Sequence, residues 1–481
     1  MSRSSQHNAD CDVIVVGAGP NGLTAAAVLA QAGMSVRVYE AAATPGGGCR
    51  TAQLTLPDFL HDTCSAVHPM GVISPVFRDL GLDRYGLEWC SAPTPLAHPL
   101  PDGRVACIDR SLETTIAALG ADGGAWRRLM EPFANEAFIR SLLAPVWYPS
   151  AGSLVTRVRF GLYALQSCVR LARRFKDAPA RALLAGCAAH SVVPLESAGT
   201  ASFGLALAAA GHAIDWPCAR GGSQAITAAL VRAIEAHGGQ LITGQHITRL
   251  EQLPQSRAVL FDLSPRQVAA IAGAALPSRY RNRLARFRHG AAVFKVDWAL
   301  SGPIPWRDEA CRRAMTVHVG GTLEHIAHAE AEVAAGRLPE EPFVLVAQQS
   351  QFDPTRAPAG GQTGWAYCHV PAGYPGDCTE AIERQIERYA PGFRDCILAR
   401  HTTNPRQLEA HNPAMIGGDM AGGDNHLLNF LFRPTPRRIP YTTPNPRLYL
   451  CSSSTPPGGG VHGMCGFHAA SAVLRRLGVH R

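Results

Sequence analysis

The chain opens with an apolar run at residues 13–16, an alanine-rich stretch, and a second apolar run at residues 35–39. A short apolar run bounded by glycine is typical of a buried parallel strand, and the alanine-rich stretch is typical of a helix. The pattern therefore predicts a strand, a tight turn, a helix and a second strand. Such a unit is the building block of a parallel sheet.

The pattern changes four times along the rest of the chain. Residues 75–210 predict helices broken by proline and glycine, and residues 219–262 predict alternating elements with strands at LITGQHITRL and AVLFDLSP. From Gly290 the stretches AAVFKVDWAL, FVLVAQQS and GWAYCHV predict neighbouring strands of another sheet. Residues 447–478 predict a last strand, a glycine-rich turn and a helix. We therefore expect an α/β protein whose first domain is interrupted by an insertion.

Composition narrows the class of protein. The 481 residues are 46% hydrophobic and 17% charged, which suits a large folded core. The net charge of +8 comes from dispersed arginines, so nucleic-acid binding has little support. The first ten residues lack a signal-peptide core, and the longest apolar tract, residues 203–210, is too short to span a membrane. With 14 cysteines in no paired spacing, these features predict a cytoplasmic protein with reduced thiols.

A basic stretch leaves the question of membrane contact open. Seven basic residues lie among apolar ones between positions 154 and 184: Arg157, Arg159, Arg170, Arg173, Arg174, Lys176 and Arg181. A basic amphipathic helix is typical of a protein that rests on a membrane surface. The untidy periodicity is equally typical of a solvated helix face. Peripheral membrane contact is therefore one of two interpretations.

The turn after the first strand carries the strongest motif. Its residues are Gly17, Gly19 and Gly22 at GxGxxG spacing, with Pro20 and Asn21 before the last glycine. Such glycines permit a tight turn and a close approach of the backbone to a pyrophosphate, and the helix N-terminus attracts the phosphates. Glu40 follows where an acid can bind the adenosine ribose, and an acid disfavours a 2′-phosphate. The unit predicts a bound dinucleotide, either FAD or NAD.

Two further glycine-rich loops extend this prediction. Gly46, Gly47 and Gly48 directly follow the ribose acid, with Arg50 available to a phosphate. Residues 458–463 precede the last helix and present backbone N–H groups at its start. Two helix N-termini at opposite ends of the chain imply one long ligand held in two places. This favours FAD over NAD.

Polar residues elsewhere suggest candidates for proton transfer. His61, Asp62, Cys64 and His68 lie close together in the sequence, but their spacing matches no standard set of metal ligands, so we predict no metal. His68 is a catalytic candidate, although a lone histidine is more often structural. Lys295 lies inside an alternating strand, where it is expected to pair with Asp297 or to extend its side chain to solvent.

Five segments together resemble a known family. The amino-terminal glycine motif, the GGG loop, ARGGSQAI, FKVDWALSGPIPW and STPPGGGVHGMCGFHAA are similar to the phytoene desaturase-like FAD-dependent oxidoreductases, distant relatives of the flavin amine oxidases. The resemblance implies a discontinuous Rossmann-type FAD-binding domain at residues 1–75, 212–289 and 440–481. It implies an inserted α+β substrate domain at residues 76–211 and 290–439. No CxxC or CxxxxC pair and no second GxGxxG is present, so neither a dithiol centre nor an NADPH domain is expected.

The resemblance also implies roles for single residues. The pyrophosphate would lie on Gly17, Gly19 and Gly22, and the adenosine ribose would bind Glu40. The path towards the flavin would be lined by Gly46, Gly47 and Arg50. The adenine would contact the backbone of a strand at Ile247, and the ribityl chain and pyrimidine would meet Ser453, Gly460 and Val461. A helix end at the last loop would stabilise negative charge on the reduced flavin. Lys295 lies in a strand similar to the amine oxidase strand whose lysine holds a water against flavin N5, with a structural lysine as the alternative.

The expected chemistry is hydride transfer between a substrate carbon and flavin N5. The resemblance implies desaturation or saturation of a lipophilic small molecule, with Lys295, His68 or His462 handling protons. Two alternatives remain. One is C–N oxidation of an amine, which is weakened because Gly460 stands where amine oxidases place an aromatic residue. The other is a redox-silent role such as isomerisation on a bound flavin. The electron acceptor stays undetermined.

Overall fold

The computed structural model describes residues 10–148 and 153–479. Its strands are β1 (Cys11–Val16), β2 (Val36–Tyr39), β3 (Thr51–Gln53), β4 (Leu60–Asp62), β5 (Trp89–Cys90), β6 (Thr94–Pro99), β7 (Val105–Ile108), β8 (Cys218–Ala219), β9 (Gln240–Ile242), β10 (Ser256–Phe261), β11 (Ala292–Leu300), β12 (Ala314–Val319), β13 (Val344–Ala347), β14 (Gln362–Val370), β15 (Ile397–Thr403) and β16 (Leu448–Leu450).

The helices connect and cover these strands. They are α1 (Pro20–Gln31), α2 (Pro69–Val72), α3 (Pro75–Asp79), α4 (Leu112–Ala118), α5 (Gly123–Met130), α6 (Glu136–Ser141), α7 (Leu154–Ala164), α8 (Cys168–Ala172), α9 (Ala178–Ala189), α10 (Thr200–Ala213), α11 (Gln224–Ala236), α12 (Pro265–Ala272), α13 (Ser278–Ala285), α14 (Glu309–Arg312), α15 (Leu323–Ala334), α16 (Gln349–Phe352), α17 (Thr379–Tyr389), α18 (Pro405–His411), α19 (Leu427–Leu431) and α20 (Met464–Leu477). Within the described ranges, no helix combines the length and the apolar character needed to traverse a lipid bilayer.

A five-stranded parallel sheet brings together segments that are far apart in sequence. Its strand order is β16-β10-β1-β2-β9. Val13 and Val15 of β1 pack with α1, α11 and α20 on one face, whereas Ile14 and Val16 pack with α12 and α13 on the other. Both faces are therefore covered, which explains why β1 is a continuous apolar run. The structure confirms the predicted α/β class with a Rossmann-like parallel sheet.

A second, mixed sheet of seven strands has the order β15-β11-β14-β13-β12-β6-β7. β11, β13 and β14 are neighbours, as the sequence predicts, and β11 pairs antiparallel with both β14 and β15. The sequence missed β6 and β7, because it predicts only helices between residues 75 and 210. Pro95 and Pro99 have no backbone N–H to donate in a strand ladder, so the local sequence does not indicate a strand at β6. β6 nevertheless pairs parallel with β12 through Thr94, Leu96 and Ala97.

Two further predictions need correction. LITGQHITRL is a strand only as far as Ile242, because Gly244 takes a φ of +71° and turns the chain out of the sheet. The amides of Gly244 and Gln245 then donate to the carbonyls of Ala42 and Glu40, both at 2.9 Å. Ile247 is therefore a buried loop residue and not a strand residue.

The basic stretch from 154 to 184 is also not one helix. It forms α7, α8 and the first half of α9, with turns between them. α7 contains no buried residue, whereas α9 is almost entirely buried. The 14 cysteines are all free thiols.

Candidate functional site

A cavity of about 1320 Å³ lies at the carboxyl ends of the parallel strands, where ligands of such sheets bind. The predicted residues that line it are Gly17, Gly19, Pro20, Asn21, Glu40, Gly47, Gly48, Arg50, His68, Ile247, Ser453, Gly460, Val461 and His462. Of the predicted site residues, all of which lie in the described ranges, Gly22, Gly46 and Lys295 do not line the cavity. The first and last glycine loops therefore share one groove, although more than 400 residues separate Gly17 from Gly460.

The first glycine loop is packed too tightly for side chains. Gly17 has a φ of +99°, and a Cβ on it would lie 2.7 Å from the carbonyl oxygen of Asp262. A Cβ on Gly22 would lie 2.2 Å from the Gly17 carbonyl oxygen. Gly22 already lies in the first turn of α1, which begins at Pro20, and Gly19 before it supplies no side-chain cap. Pro20 has no N–H, and the Gly22 and Leu23 amides donate to Asp262 and to the Gly19 carbonyl. The start of α1 therefore offers an anion in the cavity the Asn21 amide and the positive end of the helix dipole.

The second glycine loop lies directly on the first. The Gly46 amide donates to the Ala18 carbonyl at 2.8 Å. Gly47 has a φ of +53°, and a Cβ on it would lie 3.0 Å from the Gly19 Cα. Gly48 continues the cavity wall. A ligand that contacts one of these loops therefore meets the backbone of both.

Glu40 joins the first glycine loop to the segment that follows β2. Its Oε2 accepts from the Ala18 amide at 2.7 Å and its Oε1 from the Ala42 amide at 2.9 Å. Arg50 Nη2 lies 3.6 Å from Glu40 Oε1, and Arg50 Nη1 donates to the His411 carbonyl at 3.2 Å. The carboxylate thus has fixed partners on the protein side and still lines the cavity, where a ribose hydroxyl can donate to it.

The last loop closes the cavity from the other end of the chain. α20 packs so closely on α1 that a Cβ on Gly466 would lie 1.9 Å from the Asn21 carbonyl oxygen. The starts of both helices are therefore adjacent. Gly460, with a φ of +122°, and Val461 line the cavity just before α20 begins.

Sequence reasoning missed Asp262, which follows β10 and lines the same cavity. Its Oδ2 accepts from the Gly22 amide at 2.8 Å. Burial raises the pKa of this carboxyl group to about 7, against the opposing effect of the Gly22 hydrogen bond and with a contribution from the Glu40 charge. Its place at the end of a strand beside β1 is the signal that could have found it.

His68 and His462 line the cavity, but both are held by internal hydrogen bonds. His68 Nε2 lies 2.9 Å from Ser223 Oγ, and its Nδ1 lies 3.4 Å from Ser65 Oγ. His462 Nδ1 accepts from the Met464 amide at 3.0 Å and so supports the start of α20. Burial lowers the pKa of each imidazole to about 4. Both rings are therefore neutral at physiological pH.

Lys295 lies behind the cavity wall. Its ammonium forms a buried ion pair with Asp297, and Nζ lies 5.7 Å from the ring centroid of Trp365, which does line the cavity. His61 Nδ1 lies 3.7 Å from Asp297 Oδ1. Of the two expected arrangements, the lysine pairs with Asp297, and extension to solvent is wrong because the residue is only 2% exposed.

Beyond the glycine loops the cavity continues into a mainly apolar part, which we call the chamber. Leu345 of β13 and Trp365 and Tyr367 of β14 line it from the seven-stranded sheet, and Phe203 and Leu207 line it from α10. This chamber opens to solvent where lining residues are exposed. Those residues are Val146, Trp147, Leu154, Val158 and Leu165, with exposed fractions from 41% to 72%.

Comparison with known proteins agrees with this geometry. The model of the NAD(P)-binding Rossmann-like domain matches residues 15–80. The chain is 26% identical to pyridine nucleotide-disulfide oxidoreductase domain-containing protein 2 from Rattus norvegicus, over 97% of this chain and 94% of that one. It is 28% identical to hydroxyneurosporene desaturase from Rhodobacter capsulatus, over 97% and 98% of the two chains. Over nearly its whole length the chain is therefore similar to phytoene desaturase-like, flavin-dependent oxidoreductases, and these similarities support an oxidoreductase.

The architecture is also shared with an oxidase of solved structure. A putrescine oxidase bound to putrescine superposes with a TM-score of 0.62 and 17% identity, over 97% of this chain and 99% of that one. At this identity the likeness shows a common fold.

Proposed function

We propose that this oxidoreductase binds FAD and transfers a hydride between a carbon of a lipophilic substrate and flavin N5, in a desaturation or saturation reaction. One observation carries the proposal: the two glycine loops and the apolar chamber belong to the same cavity. A long ligand anchored at both loops then has one end against the chamber. When bound, FAD supplies a two-electron hydride acceptor or donor.

The residues around the cavity fit FAD. Gly17, Gly19 and the adjacent start of α1 suit the pyrophosphate, and Glu40 with its fixed orientation suits the adenosine ribose. The buried backbone of Ile247 suits the adenine. Ser453, Gly460 and Val461 suit the flavin end, where the start of α20 stabilises negative charge. Asp262, when protonated, avoids repulsion with the phosphates.

The lining of the chamber supports a lipophilic substrate. Aromatic and aliphatic side chains from β13, β14 and α10 gain contacts with an apolar molecule and exclude water from the place of hydride transfer. Two similar proteins, hydroxyneurosporene desaturase and the phytoene dehydrogenase of Streptomyces griseus, bear the names of desaturating enzymes. His68, His462 or Lys295 acting through water would handle protons.

Amine oxidation is the second candidate function, because the fold is that of a putrescine oxidase. The aromatic residues of the chamber give it less support. Trp365 and Tyr367 pack edge to face, with ring centroids 5.3 Å apart and an angle of 89° between the rings. Rings in direct contact leave no gap in which an amine can lie between them. Gly460 adds no ring from the last loop. A redox-silent flavin isomerase is the third candidate.

We also propose that the mouth of the chamber rests on an anionic membrane surface. Leu154, Val155, Val158 and Leu162 of α7 are 54% to 75% exposed. Arg157 of α7 donates to the carbonyl of Val146, the residue before Trp147, at 3.3 Å, and Trp147 Nε1 donates to the Arg438 carbonyl at 3.1 Å. Exposed Arg170, Arg173 and Arg174 follow α7 and would attract anionic headgroups. A lipophilic substrate could then enter without crossing water.

Anaerobic reduction of the purified protein tests the proposal. The protein should be yellow and release FAD on denaturation, and its absorbance should bleach with one member of a panel of isoprenoids, acyl compounds, amines and NAD(P)H. Bleaching by isoprenoids or acyl compounds supports desaturation, and re-oxidation of the reduced protein by an alkene supports saturation. Bleaching by amines alone would put C–N oxidation first. A flavin that no donor reduces would favour the redox-silent role, and a colourless protein that takes up no FAD would refute the proposal.

A further inference from the structure

His190 brings a polar group into the apolar chamber. It follows the last residue of α9, is partly exposed, and lines the cavity together with Trp216, whose ring centroid lies 5.9 Å from that of the histidine. Its Nε2 lies 3.2 Å from His318 Nε2. Within the described ranges its Nδ1 makes no hydrogen bond to the protein. One of the two ring nitrogens is therefore free for a ligand.

The surroundings of His318 decide which nitrogens carry protons. His318 is completely buried on β12, and its Nδ1 has no hydrogen-bond partner among the described residues. A Cβ on Gly186 of α9 would lie 2.6 Å from this Nδ1, so a Cα–H of Gly186 points at it. A proton on Nδ1 of His318 would clash with that hydrogen of Gly186, whereas a lone pair on Nδ1 can accept it in a weak C–H···N contact. We therefore assign Nδ1 of His318 as unprotonated.

The same reasoning extends to His190. With Nδ1 of His318 unprotonated, its Nε2 carries the proton and donates to His190 Nε2. Burial lowers the pKa of His190 to about 3, with a further contribution from the charge of His369, so the ring is neutral. A neutral ring whose Nε2 accepts carries its single proton on Nδ1. His190 therefore offers an N–H donor to the chamber.

A second polar group of the cavity lies on the strand that carries His318. Thr316 is on the same face of β12 as His318, is 1% exposed and lines the cavity. Its Oγ1 has no hydrogen-bond partner among the described residues. An unpaired buried hydroxyl is costly unless a ligand completes it.

We propose that the Nδ1–H of His190 binds an acceptor oxygen, a carbonyl or a hydroxyl, on an otherwise apolar substrate, with Thr316 as the neighbouring polar contact. The inference rests on the proposed function because it specifies the substrate class of that cavity. His318 is a positioning residue, since it sets the tautomer of His190 from outside the cavity. The substrate is accordingly an oxygenated lipophile and not a pure hydrocarbon.

Calorimetric titration with three chains of equal length tests this assignment on the purified holoprotein. Farnesal can only accept a hydrogen bond, farnesol can accept and donate, and farnesene can do neither. We expect farnesal and farnesol to bind about tenfold more tightly than farnesene, the factor for one net hydrogen bond. His190→Leu should abolish this preference, and His190→Gln, which keeps an N–H donor, should restore part of it. Melting temperatures and flavin content confirm that the variants fold.

Three results would overturn the inference. Equal affinities of the three probes for the wild type, a preference that survives His190→Leu, or a preference for farnesol without farnesal each contradict a donor at His190. Thr316→Val, which conserves volume, is the matched variant and should change the preference less than His190→Leu. Flavin absorbance of the same samples tests the proposed function separately, because a His190-dependent preference in a colourless protein would refute only FAD binding.

Discussion

The Asp262 carboxylate oxygen accepts a hydrogen bond from the Gly22 amide at 2.8 Å, across 240 residues of chain. This contact joins the end of β10 to the first turn of α1, where the phosphates of a dinucleotide are expected. A carboxyl group in that place is compatible with phosphates only when it carries a proton. Its pKa of about 7, raised by burial, makes the site sensitive to pH near neutrality.

Cofactor affinity should accordingly fall as pH rises through 7. Deprotonation of Asp262 places a second negative charge beside the pyrophosphate, and Asp262→Asn keeps the acceptor for Gly22 without that charge. FAD dissociation constants measured between about pH 6 and pH 8 should rise in the wild type and stay level in the variant. An identical pH profile in both proteins would show that Asp262 does not control binding.

The same ionisation affects the stability of the protein without cofactor. The folded-state pKa of Asp262 exceeds that of an unfolded aspartate, so the folded protein binds more protons between about pH 4 and pH 7. The contribution of Asp262 to the free energy of unfolding should therefore fall by about 1.4 kcal/mol per pH unit across this window. Buried histidines such as His68 and His462, whose pKa values are lowered, contribute in the opposite direction. Urea unfolding of both proteins at each pH isolates the carboxyl group, because the histidines are common to both. The free energy of unfolding of the wild type, relative to that of Asp262→Asn, should decrease as pH rises from about 4 to 7.

Gly47→Ala should reduce FAD content more than it reduces stability. The new methyl group would lie 3.0 Å from the Gly19 Cα and push apart the two loops that meet the phosphates. Gly336→Ala is the matched control, because Gly336 also has a positive φ, +80°, but no atom within 4 Å of its Cβ position. Both variants should lose about 1 kcal/mol from backbone strain. Equal flavin-to-protein absorbance ratios in the two variants would contradict the assigned role of the loop.

Lys295→Met should destabilise the protein and leave re-oxidation of the reduced flavin by oxygen nearly unchanged. Removing the ammonium leaves Asp297 buried without its cation, a loss that costs about 3–5 kcal/mol in comparable pairs. Adding Asp297→Asn should recover much of the stability. Denaturant unfolding and stopped-flow re-oxidation measure the two effects. A large decrease in the re-oxidation rate would instead support a lysine that holds water against flavin N5.

Leu154→Asp combined with Val158→Asp should abolish binding to anionic vesicles. Both side chains are more than half exposed at the mouth of the chamber, and a charge there removes the apolar contact with lipid. Leu398→Asp is the control, since Leu398 is 54% exposed on β15, away from α7. Vesicle flotation at low and high salt reads out binding. Wild-type protein that remains unbound at every salt concentration would leave α7 as a solvated helix.

Local patterns predicted the parts of the site that are continuous in sequence. The glycines at positions 17, 19 and 22, the acid at position 40 and the loop at 46–48 follow β1 and β2 directly, so spacing alone placed them. The last loop was found for the same reason, because a strand and a helix enclose it. These turns need backbone conformations that favour glycine, so the glycine residues themselves mark the turns in the sequence.

Residues brought together by distant strands were harder to predict. Asp262 meets Gly22 only because β10 pairs with β1, and His190 meets His318 only because α9 packs on β12. Lys295 could be placed on its strand but not relative to Trp365. The missed strand β6 carries two prolines and is stabilised by its parallel partner β12, a contact that no local pattern displays.

The interleaved sheet also sets the order of biogenesis. β1 is synthesised before its neighbour β10, which follows more than 200 residues later, and α20 begins more than 400 residues after β1. The groove between the first and last glycine loops therefore cannot form until α20 has been synthesised. A cofactor held by both loops, as proposed above, can bind only after that point, and until β10 has been synthesised β1 lacks the strand that pairs with one of its edges.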